Sequence, residues 1–210
     1  MKHLIIDFET MGTKTKDCAM IDCSVFHFDT VKMLSDQPYN TRSIVDVKKI
    51  KLSMKDQVDN YGWVVYKDTI EFWKNQSAAA RKHIIPSSSD VTVEKFTDEF
   101  ISYIVGNGKI DYWWSRSNSF DPILLWRIFE AADRNNMINE YLKHWKVRDI
   151  RTYIDAKLDF PKVNGFVPIS DIQFWEKVFV EHDSSWDVLA DVLRFQAIVR
   201  AENDLEMIER

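Results

Sequence analysis

The sequence predicts an α/β fold in which a mixed β-sheet is flanked by α-helices. Strand-like runs come first in the chain, and helical patterns then alternate with further strand-like segments, an order typical of a mixed sheet with helices packed on it. With 45% hydrophobic and 29% charged residues, the composition excludes a disordered or collagen-like chain. No linker, repeat or low-complexity tract divides residues 1–210. We therefore expect one domain, of a length that can bury its own core.

The N-terminal segments predict a three-stranded meander. Residues 3–8 form an apolar run rich in β-branched residues, which is typical of a buried strand. Residues 19–28 end in the alternating segment Val25-Phe26-His27-Phe28, which favours a second strand. Residues 31–35 are expected to form the third.

Apolar residues at helical spacing predict the helices of the remaining chain. Residues 184–201 have the most regular pattern. Ser77 is the expected N-cap of a short helix, and Pro122 suits a first helical turn. The predicted helices are residues 69–74, 77–83, 93–105, a segment that begins at 121, 151–158 and 184–201, and the predicted strands among them are 111–116 and 147–150.

The N-terminus and the cysteines indicate a protein of a reducing compartment. The first apolar run meets Asp7 and Glu9 at once, so it does not form a signal peptide. No later apolar run is long enough to span a membrane. Cys18 and Cys23 do not form a CxxC pair and are expected to be buried thiols. We expect a cytoplasmic protein without a membrane partner.

The net charge of −5, from 33 acidic and 28 basic side chains, argues against a protein that holds long nucleic acid by counterion release. It does not exclude a small site where carboxylates hold cations. Lys48, Lys49 and Lys51 form a basic cluster that is either a solvated face or a local source of positive field. Arg148 and Arg151 could meet phosphate, a second subunit or an exposed acid.

The first candidate site is Asp7-Phe8-Glu9. Residues two apart on a strand point to the same side, so Asp7 and Glu9 present two carboxylates together. Two like charges at the end of an apolar strand are costly unless a cation compensates them, and oxygen ligands of this kind suit Mg²⁺ or Mn²⁺. The alternative is that the strand has ended and both side chains are solvated.

Further candidates lie at two predicted helix starts. Asp121 precedes Pro122, and its alternative role is a helix N-cap. His182 precedes the most regular helix, which carries Asp187 in its first turn. Here the alternative is a capping box of Ser184 and Asp187 beside an exposed histidine. Asp183 and Asp191 lie one turn to either side of Asp187 and compete with it for the same role.

Together the candidates give the order DxE, D, HxxxxD. This combination resembles the DEDDh (DnaQ-like) superfamily of 3′→5′ exonucleases, which includes the polymerase proofreading subunit and RNase T, and most closely its phage exonuclease A type and bacterial exoribonuclease members. The resemblance covers about residues 4–195. The segments that carry it are Ile5-Ile6-Asp7-Phe8-Glu9-Thr10-Met11-Gly12, Thr69-Ile70-Glu71-Phe72-Trp73-Lys74-Asn75-Gln76-Ser77, Ser119-Phe120-Asp121-Pro122-Ile123-Leu124, Arg148-Asp149-Ile150-Arg151-Thr152 and His182-Asp183-Ser184.

The resemblance implies an RNase H-like fold and a site for two divalent cations, Mg²⁺ or Mn²⁺. Asp7, Glu9 and Asp187 would hold the first metal, because only Asp187 has the four-residue gap after the histidine that this subgroup shows. Asp7 would also reach the second metal, and Asp121 would complete the acidic set. His182 would be the general base, a role that a histidine can fill near neutral pH.

One departure from the family concerns the second motif. The proofreading subunits have an asparagine four residues before its aspartate, whereas this chain has Ser117 there and Asn118 one residue later. The departure does not touch the acids.

The expected reaction is hydrolysis of single-stranded DNA from its 3′ end to nucleoside 5′-monophosphates by a two-metal mechanism. The alternatives are an exoribonuclease acting on RNA or short oligoribonucleotides, a phosphoesterase acting on small nucleotides, and a non-catalytic RNase H-like module that binds nucleic acid. The expected partners are single-stranded DNA or RNA 3′ ends, bound by a monomer or a homodimer.

Five residues are expected to contact the substrate. The backbone of Thr10, Met11 and Gly12 and the apolar side chain of Met11 would grip the terminal nucleotide. Trp73 and Gln76 would line the groove, and the alternative for Trp73 is a place in the core of a short helix.

Overall fold

A five-stranded mixed sheet organises the chain in the computed structural model, which describes residues 1–158, 165–167, 169 and 172–208. The sheet order is β3-β2-β1-β4-β5. β2 runs antiparallel to β1 and β3, whereas β4 and β5 run parallel to β1. The strands are β1 (Lys2–Thr10), β2 (Met20–Asp29), β3 (Lys48–Lys51), β4 (Tyr112–Ser115) and β5 (Val147–Asp149).

Helices cover both faces of this sheet. Within the described residues, none of them is both long and apolar enough to cross a membrane. The helices are α1 (Thr30–Leu34), α2 (Met54–Tyr61), α3 (Lys67–Lys74), α4 (Ala78–Arg81), α5 (Val93–Asn107), α6 (Asp121–Ala131), α7 (Asn135–Tyr141), α8 (Ile150–Leu158), α9 (Ile172–Val178) and α10 (Ser184–Ile208).

The alternation of side chains along β1 builds two separate cores. Leu4, Ile6 and Phe8 pack with α5 and α6 on one face, because residues two apart share a side of the strand. Ile5 packs with β2, α8 and α10 on the other face. Asp7 and Glu9 continue the Ile5 side of the strand, so their carboxylates face the layer that contains α10.

The third strand differs from the predicted meander. Residues 30–34 are helical, because the Asp29 carboxylate accepts a hydrogen bond from the Lys32 N–H and starts α1 directly after β2. Val31 is 74% exposed there. The third strand is β3, in the basic cluster, where Ile50 alone is buried.

The other predicted elements agree with the structure apart from their limits. Ser77 caps α4 by accepting a hydrogen bond from the Ala80 N–H. The predicted helix over 77–83 is split, because a 3₁₀ turn, Lys82–Ile84, follows α4. Cys18 and Cys23 are buried free thiols.

Candidate active site

Three carboxylates meet where β1 ends beside α10. One oxygen from each of Asp7, Glu9 and Asp187 lies within 4.8 Å of the others. Asp7 and Glu9 share one side of β1, and Asp187 lies in the first turn of α10, which packs across β1 and β2. The structure thus brings together three of the four predicted metal ligands.

The fourth, Asp121, approaches the same strand from α6. β1 pairs with β4 only as far as Ile5, so the Phe8 N–H beyond it has no strand partner on that side. The Asp121 Oδ1 accepts a hydrogen bond from this N–H at 3.2 Å. The carboxylate therefore binds β1 and does not cap its helix, whose N-cap residue is Phe120.

These four carboxylates perturb one another. Burial and then the charges of Asp121 and Asp187 raise the pKa of Asp7, and burial and then the charges of Asp22 and Asp187 raise the pKa of Glu9. Burial raises the pKa of Asp121 to about 7, against the opposing hydrogen bond from Phe8. Burial and the charges of Asp191 and Asp183 raise the pKa of Asp187 to about 7. Bound protons or cations would therefore stabilise the cluster.

The two acids that compete with Asp187 are already paired. The Asp183 carboxylate lies 2.5 Å from the Lys49 Nζ and 3.2 Å from the His83 Nε2. Asp191 binds Arg116 and Arg194 through both of its oxygens. Among the described residues, no Lys, Arg or His nitrogen comes within 4 Å of the Asp187 carboxylate, which leaves it available for a cation.

Four oxygen donors of this kind fit hard divalent cations. Carboxylate oxygens are the ligands that Mg²⁺ and Mn²⁺ prefer, and none of the four carboxylates is neutralised by a cationic side chain of the described chain within 4 Å. The residues present therefore match the group that the sequence predicts.

His182 stands beside this cluster in a left-handed backbone conformation, with φ at 60°. Its side chain is about one third exposed. The imidazole packs edge-on against Phe72, with ring centroids 5.0 Å apart. The capping box expected of Ser184 is absent from the hydrogen bonds of the described residues, since the Ser184 hydroxyl donates to Asp22 and the Asp183 Oδ1 accepts from the Ser185 N–H.

Two adjoining clefts, of about 500 and 360 Å³, meet at Phe8, Glu9 and His182. The smaller one holds Asp7 and Asp187. The larger one is walled by aromatic side chains and by the loop after β1. Its other lining residues are Thr10, Gly12, Thr13, Lys14, Tyr66, Asp68, Thr69, Phe72, Trp73 and Phe120.

The predicted substrate contacts are only partly in this cleft. Thr10 and Gly12 line it, and the Thr10 hydroxyl donates to the Gly12 carbonyl at 2.7 Å. Met11 is 6% exposed in the core, so its side chain does not face a nucleotide, because the turn after β1 points it inward. Trp73 is 1% exposed and donates its Nε1–H to the Thr10 carbonyl. Gln76 donates to the Phe72 carbonyl of its own helix.

Gly12 is required by packing. A Cβ at this position would lie 2.8 Å from the Cβ of Cys18 and would also overlap the Tyr66 ring. No side chain larger than hydrogen fits between them, so the loop that lines the cleft stays close to the core.

Sequence reasoning missed a buried polar network beside the site. Lys49 joins Asp183 to Asp22, which is fully buried and whose Oδ2 lies 3.5 Å from the Lys49 Nζ. The Ser184 hydroxyl donates to the Asp22 Oδ1 at 2.5 Å and lies 2.7 Å from the Ser24 hydroxyl. We call Lys49, Asp22, Asp183, Ser184 and His83 the Lys49 network. Its only signal in the sequence was one lysine in a basic cluster.

Comparisons with known proteins identify the family of the chain. Residues 2–194 match the family described as the 3′-5′ exoribonuclease Rv2179c-like domain. The exodeoxyribonuclease of Enterobacteria phage T4 is 35% identical over 221 residues, which cover 98% of this chain and 92% of that protein.

Among solved structures, apo exonuclease I superposes with a TM-score of 0.62 at 13% identity over 95% of this chain. The complex of E. coli exonuclease I with a 5cy-dA13 oligonucleotide has a TM-score of 0.62 at 12% identity, also over 95% of this chain. The chain spans about two fifths of the length of exonuclease I, and at this identity the likeness concerns the RNase H-like fold. With the match to the family and to the phage protein, the chain belongs to the Rv2179c-like family and is a 3′→5′ exonuclease.

Proposed function

We propose that the chain removes nucleoside 5′-monophosphates from the 3′ end of single-stranded DNA, with two divalent cations and His182 as the general base. The observation that carries the proposal is the group of Asp7, Glu9 and Asp187, whose oxygens lie within 4.8 Å of one another with Asp121 bound to the same strand. We place this reaction in the cytoplasm, where Cys18 and Cys23 would remain thiols.

The chain's own residues supply the cation site, the base and the base-stacking surface. Asp7, Glu9 and Asp187 would hold one cation, and Asp7 and Asp121 the second. Bound cations would lower the pKa of the attacking water and offset charge on the scissile phosphate. His182 would accept the proton of that water on its ring nitrogen as the bond from phosphorus to the 3′ oxygen breaks.

The aromatic wall of the larger cleft suits the bases of a single strand. Tyr66, Phe72 and Phe120 line it next to Glu9 and His182. Aromatic side chains stack on any base, which gives affinity without sequence preference. The 3′-terminal nucleotide would stack there while its phosphate reaches the carboxylates in the smaller cleft.

DNA is the preferred substrate in this proposal because the phage relative, at 35% identity, is an exodeoxyribonuclease and E. coli exonuclease I has been solved with dA13 and dT13 oligonucleotides. A second candidate is RNA, which the family description as an exoribonuclease favours. The distinction depends on the groups beside the 2′ position of the bound sugar.

One digestion experiment tests polarity, sugar preference and metal need. DNA and RNA 20-mers labelled at the 3′ or the 5′ end are incubated with Mn²⁺, Mg²⁺ or EDTA. We expect early release of the 3′ label as a mononucleotide, a ladder from the 5′-labelled strand, faster loss of DNA than of RNA, and no reaction in EDTA. Release of the 5′ label first, or undiminished hydrolysis in EDTA, would contradict the proposal.

A further inference from the structure

The end of the sheet opposite the carboxylates presents an exposed tryptophan. Trp145 lies in the 3₁₀ turn His144–Lys146 that leads into β5, and it is 62% exposed. Five of the eight tryptophans are instead buried: Trp63, Trp73, Trp113, Trp114 and Trp175. A single exposed aromatic residue does not by itself mark a binding site, so the role of Trp145 depends on the groups around it.

Hydrogen bonds fix the backbone of the turn that carries this ring. The buried Trp113 donates its Nε1–H to the Lys143 carbonyl at 3.0 Å. The Lys146 N–H donates to the same carbonyl at 2.9 Å, and the Arg148 guanidinium donates to the Trp145 carbonyl at 2.9 Å. The backbone of this turn is therefore preorganised and loses little conformational freedom on binding.

Cationic side chains lie beside Trp145 and its neighbour Tyr112. The Lys143 Nζ lies 5.9 Å from the Trp145 ring centroid, and the Arg148 guanidinium lies 4.5 Å over the ring of Tyr112. Two adjoining clefts, of about 350 and 460 Å³, share Lys146. We call Tyr112, Lys143, Trp145, Lys146 and Arg148 the Trp145 surface.

The charge balance of these clefts is opposite to that of the chain. Four cations, Lys109, Lys143, Lys146 and Arg148, line the two clefts together with two acids, Glu140 and Asp111. One of those acids, Asp111, is salt-bridged to Lys109 at 2.8 Å. In a chain with a net charge of −5, a local excess of cations beside flat aromatic rings fits a polyanion with stacking groups.

The Trp145 surface lies too far from the carboxylates to bind the same nucleotide. Tyr112 pairs with His3 near the start of β1, and Glu9 stands six residues further along that strand. At about 3.3 Å per residue the two positions are about 20 Å apart. A stacked strand rises about 3.4 Å per nucleotide, so about six nucleotides are needed to reach from one to the other.

We propose that the Trp145 surface binds the single-stranded substrate several nucleotides upstream of its 3′ end. A base stacks on Trp145, and Lys143, Lys146 and Arg148 hold the adjoining phosphates. The inference rests on the proposed function, because it assigns the body of the strand whose 3′ end the carboxylates cut. It predicts that long strands bind better than trinucleotides and that only the long ones depend on Trp145.

The test compares a 20-mer and a trimer of thymidylate. The Kd of the fluorescein-labelled 20-mer is measured by fluorescence anisotropy in EDTA, which prevents hydrolysis, and KM and kcat are measured for both lengths with Mn²⁺. The variants are Trp145→Ala and Lys143→Glu. The control is Lys95→Glu, which changes net charge equally at an exposed position of α5.

Trp145→Ala is expected to weaken binding of the 20-mer about 5-fold or more, the effect of losing one base-aromatic stack, while trimer KM and kcat stay unchanged. Lys143→Glu should weaken the 20-mer too, with a smaller dependence on salt than the wild type. Lys95→Glu should match the wild type. Circular dichroism spectra and Tm values identical to the wild type would show that the three substitutions leave the fold intact.

Three outcomes would overturn the inference. The first is an affinity for the 20-mer within twofold of the wild type in both variants. The second is a rise in KM for the trimer equal to the loss of affinity for the 20-mer. The third is that the variants lose binding to a decaglutamate peptide but bind the 20-mer normally, which would make the surface a docking site for an acidic protein segment. A wild type that binds the 20-mer through Trp145 but hydrolyses nothing would support the surface and overturn the proposed function.

Discussion

Asp183 and Asp187, at the start of α10, have opposite electrostatic environments. In the Lys49 network, burial raises the pKa of Asp183, but the His83 hydrogen bond and the Lys49 charge hold it well below its usual range. One turn later, burial and neighbouring carboxylates raise the pKa of Asp187 to about 7. The same residue type is thus compensated just before α10 and left uncompensated in its first turn.

The difference separates an acid that holds the structure together from one that is available to a ligand. A buried carboxylate depends on its cationic partner, because removing the partner leaves an uncompensated buried charge and destabilises the fold. A buried group of like charges lowers stability until cations enter. The Lys49 network fixes the N-terminus of α10, and through it the positions of His182 and Asp187, while Asp7, Glu9 and Asp187 remain open to metal.

The largest effect on activity is expected from removing a carboxylate that has no cationic partner. Asp187→Ala should lower metal-dependent nuclease activity by more than about 100-fold, the loss that second-shell changes alone can reach, and leave a folded protein. Glu130→Ala is the matched control, since Glu130 is an exposed acid near the C-terminal end of α6 and should keep wild-type activity. Initial rates on a 5′-labelled 20-mer with Mn²⁺ measure both; retained activity in Asp187→Ala would exclude this carboxylate as a ligand.

The proposed base should matter less than the acids. His182→Ala is expected to lower kcat by about 10²- to 10⁴-fold, the usual contribution of a general base, without loss of Tm. The rise of the rate with pH that an imidazole base produces should disappear in the variant. A pH–rate profile with the same shape as that of the wild type would assign the base to another group.

Removing the lysine of the Lys49 network should lower the stability of the fold. Lys49→Met leaves Asp22 and Asp183 buried without their lysine, which is expected to cost about 3 kcal/mol of unfolding free energy. Lys48→Met on the same strand is the control, because its ion pair with Glu99 at 2.9 Å is partly exposed and is worth less than about 1 kcal/mol. Urea unfolding followed by circular dichroism measures the difference. Equal losses in the two variants would mean that Lys49 is no more than a surface cation.

The elements that could be predicted from sequence are those whose signal is local. The apolar run of β1 and the helical spacing of α5, α6 and α10 each depend on neighbouring residues. β3 has three lysines and one apolar residue, so no local pattern marks it as a strand. Its pairing with β2 and the ion pairs of Lys49 with Asp22 and of Lys51 with Asp90 are tertiary.

The candidate site shows the same limit. Strand alternation predicted that Asp7 and Glu9 share one side, and spacing from His182 favoured Asp187. Asp191 pairs with Arg194 three residues away, but the ion pairs of Asp183 with Lys49 and of Asp191 with Arg116 join residues more than 70 positions apart, and no local pattern could identify them. The inward orientation of Met11 was not predicted for a similar reason, because it depends on how the loop after β1 packs on the core.

The smallest expected effect is the dependence of the unfolding free energy on pH and on bound metal. Asp121 and Asp187 have a pKa of about 7 in the folded state and ordinary values near 4 when unfolded. Between about pH 4 and 7 the folded protein therefore binds more protons than the unfolded one, and its unfolding free energy should fall as the pH rises through this range in EDTA. Asp183 has a lowered pKa, so its stabilising effect is lost only at more acidic pH and does not oppose the trend.

Metal should reverse this loss where the carboxylates are ionised. At 100 times its Kd, Mn²⁺ is expected to add about 2.7 kcal/mol at pH 8 and clearly less at pH 5, where protons occupy the same oxygens. Asp187→Asn should be less sensitive to pH in EDTA and gain less from Mn²⁺, since one of the uncompensated charges is gone. Urea unfolding at pH 5 and 8, with EDTA or Mn²⁺, tests this; a wild-type stability that is flat between these pH values in EDTA would show that the carboxylates already have another compensating partner.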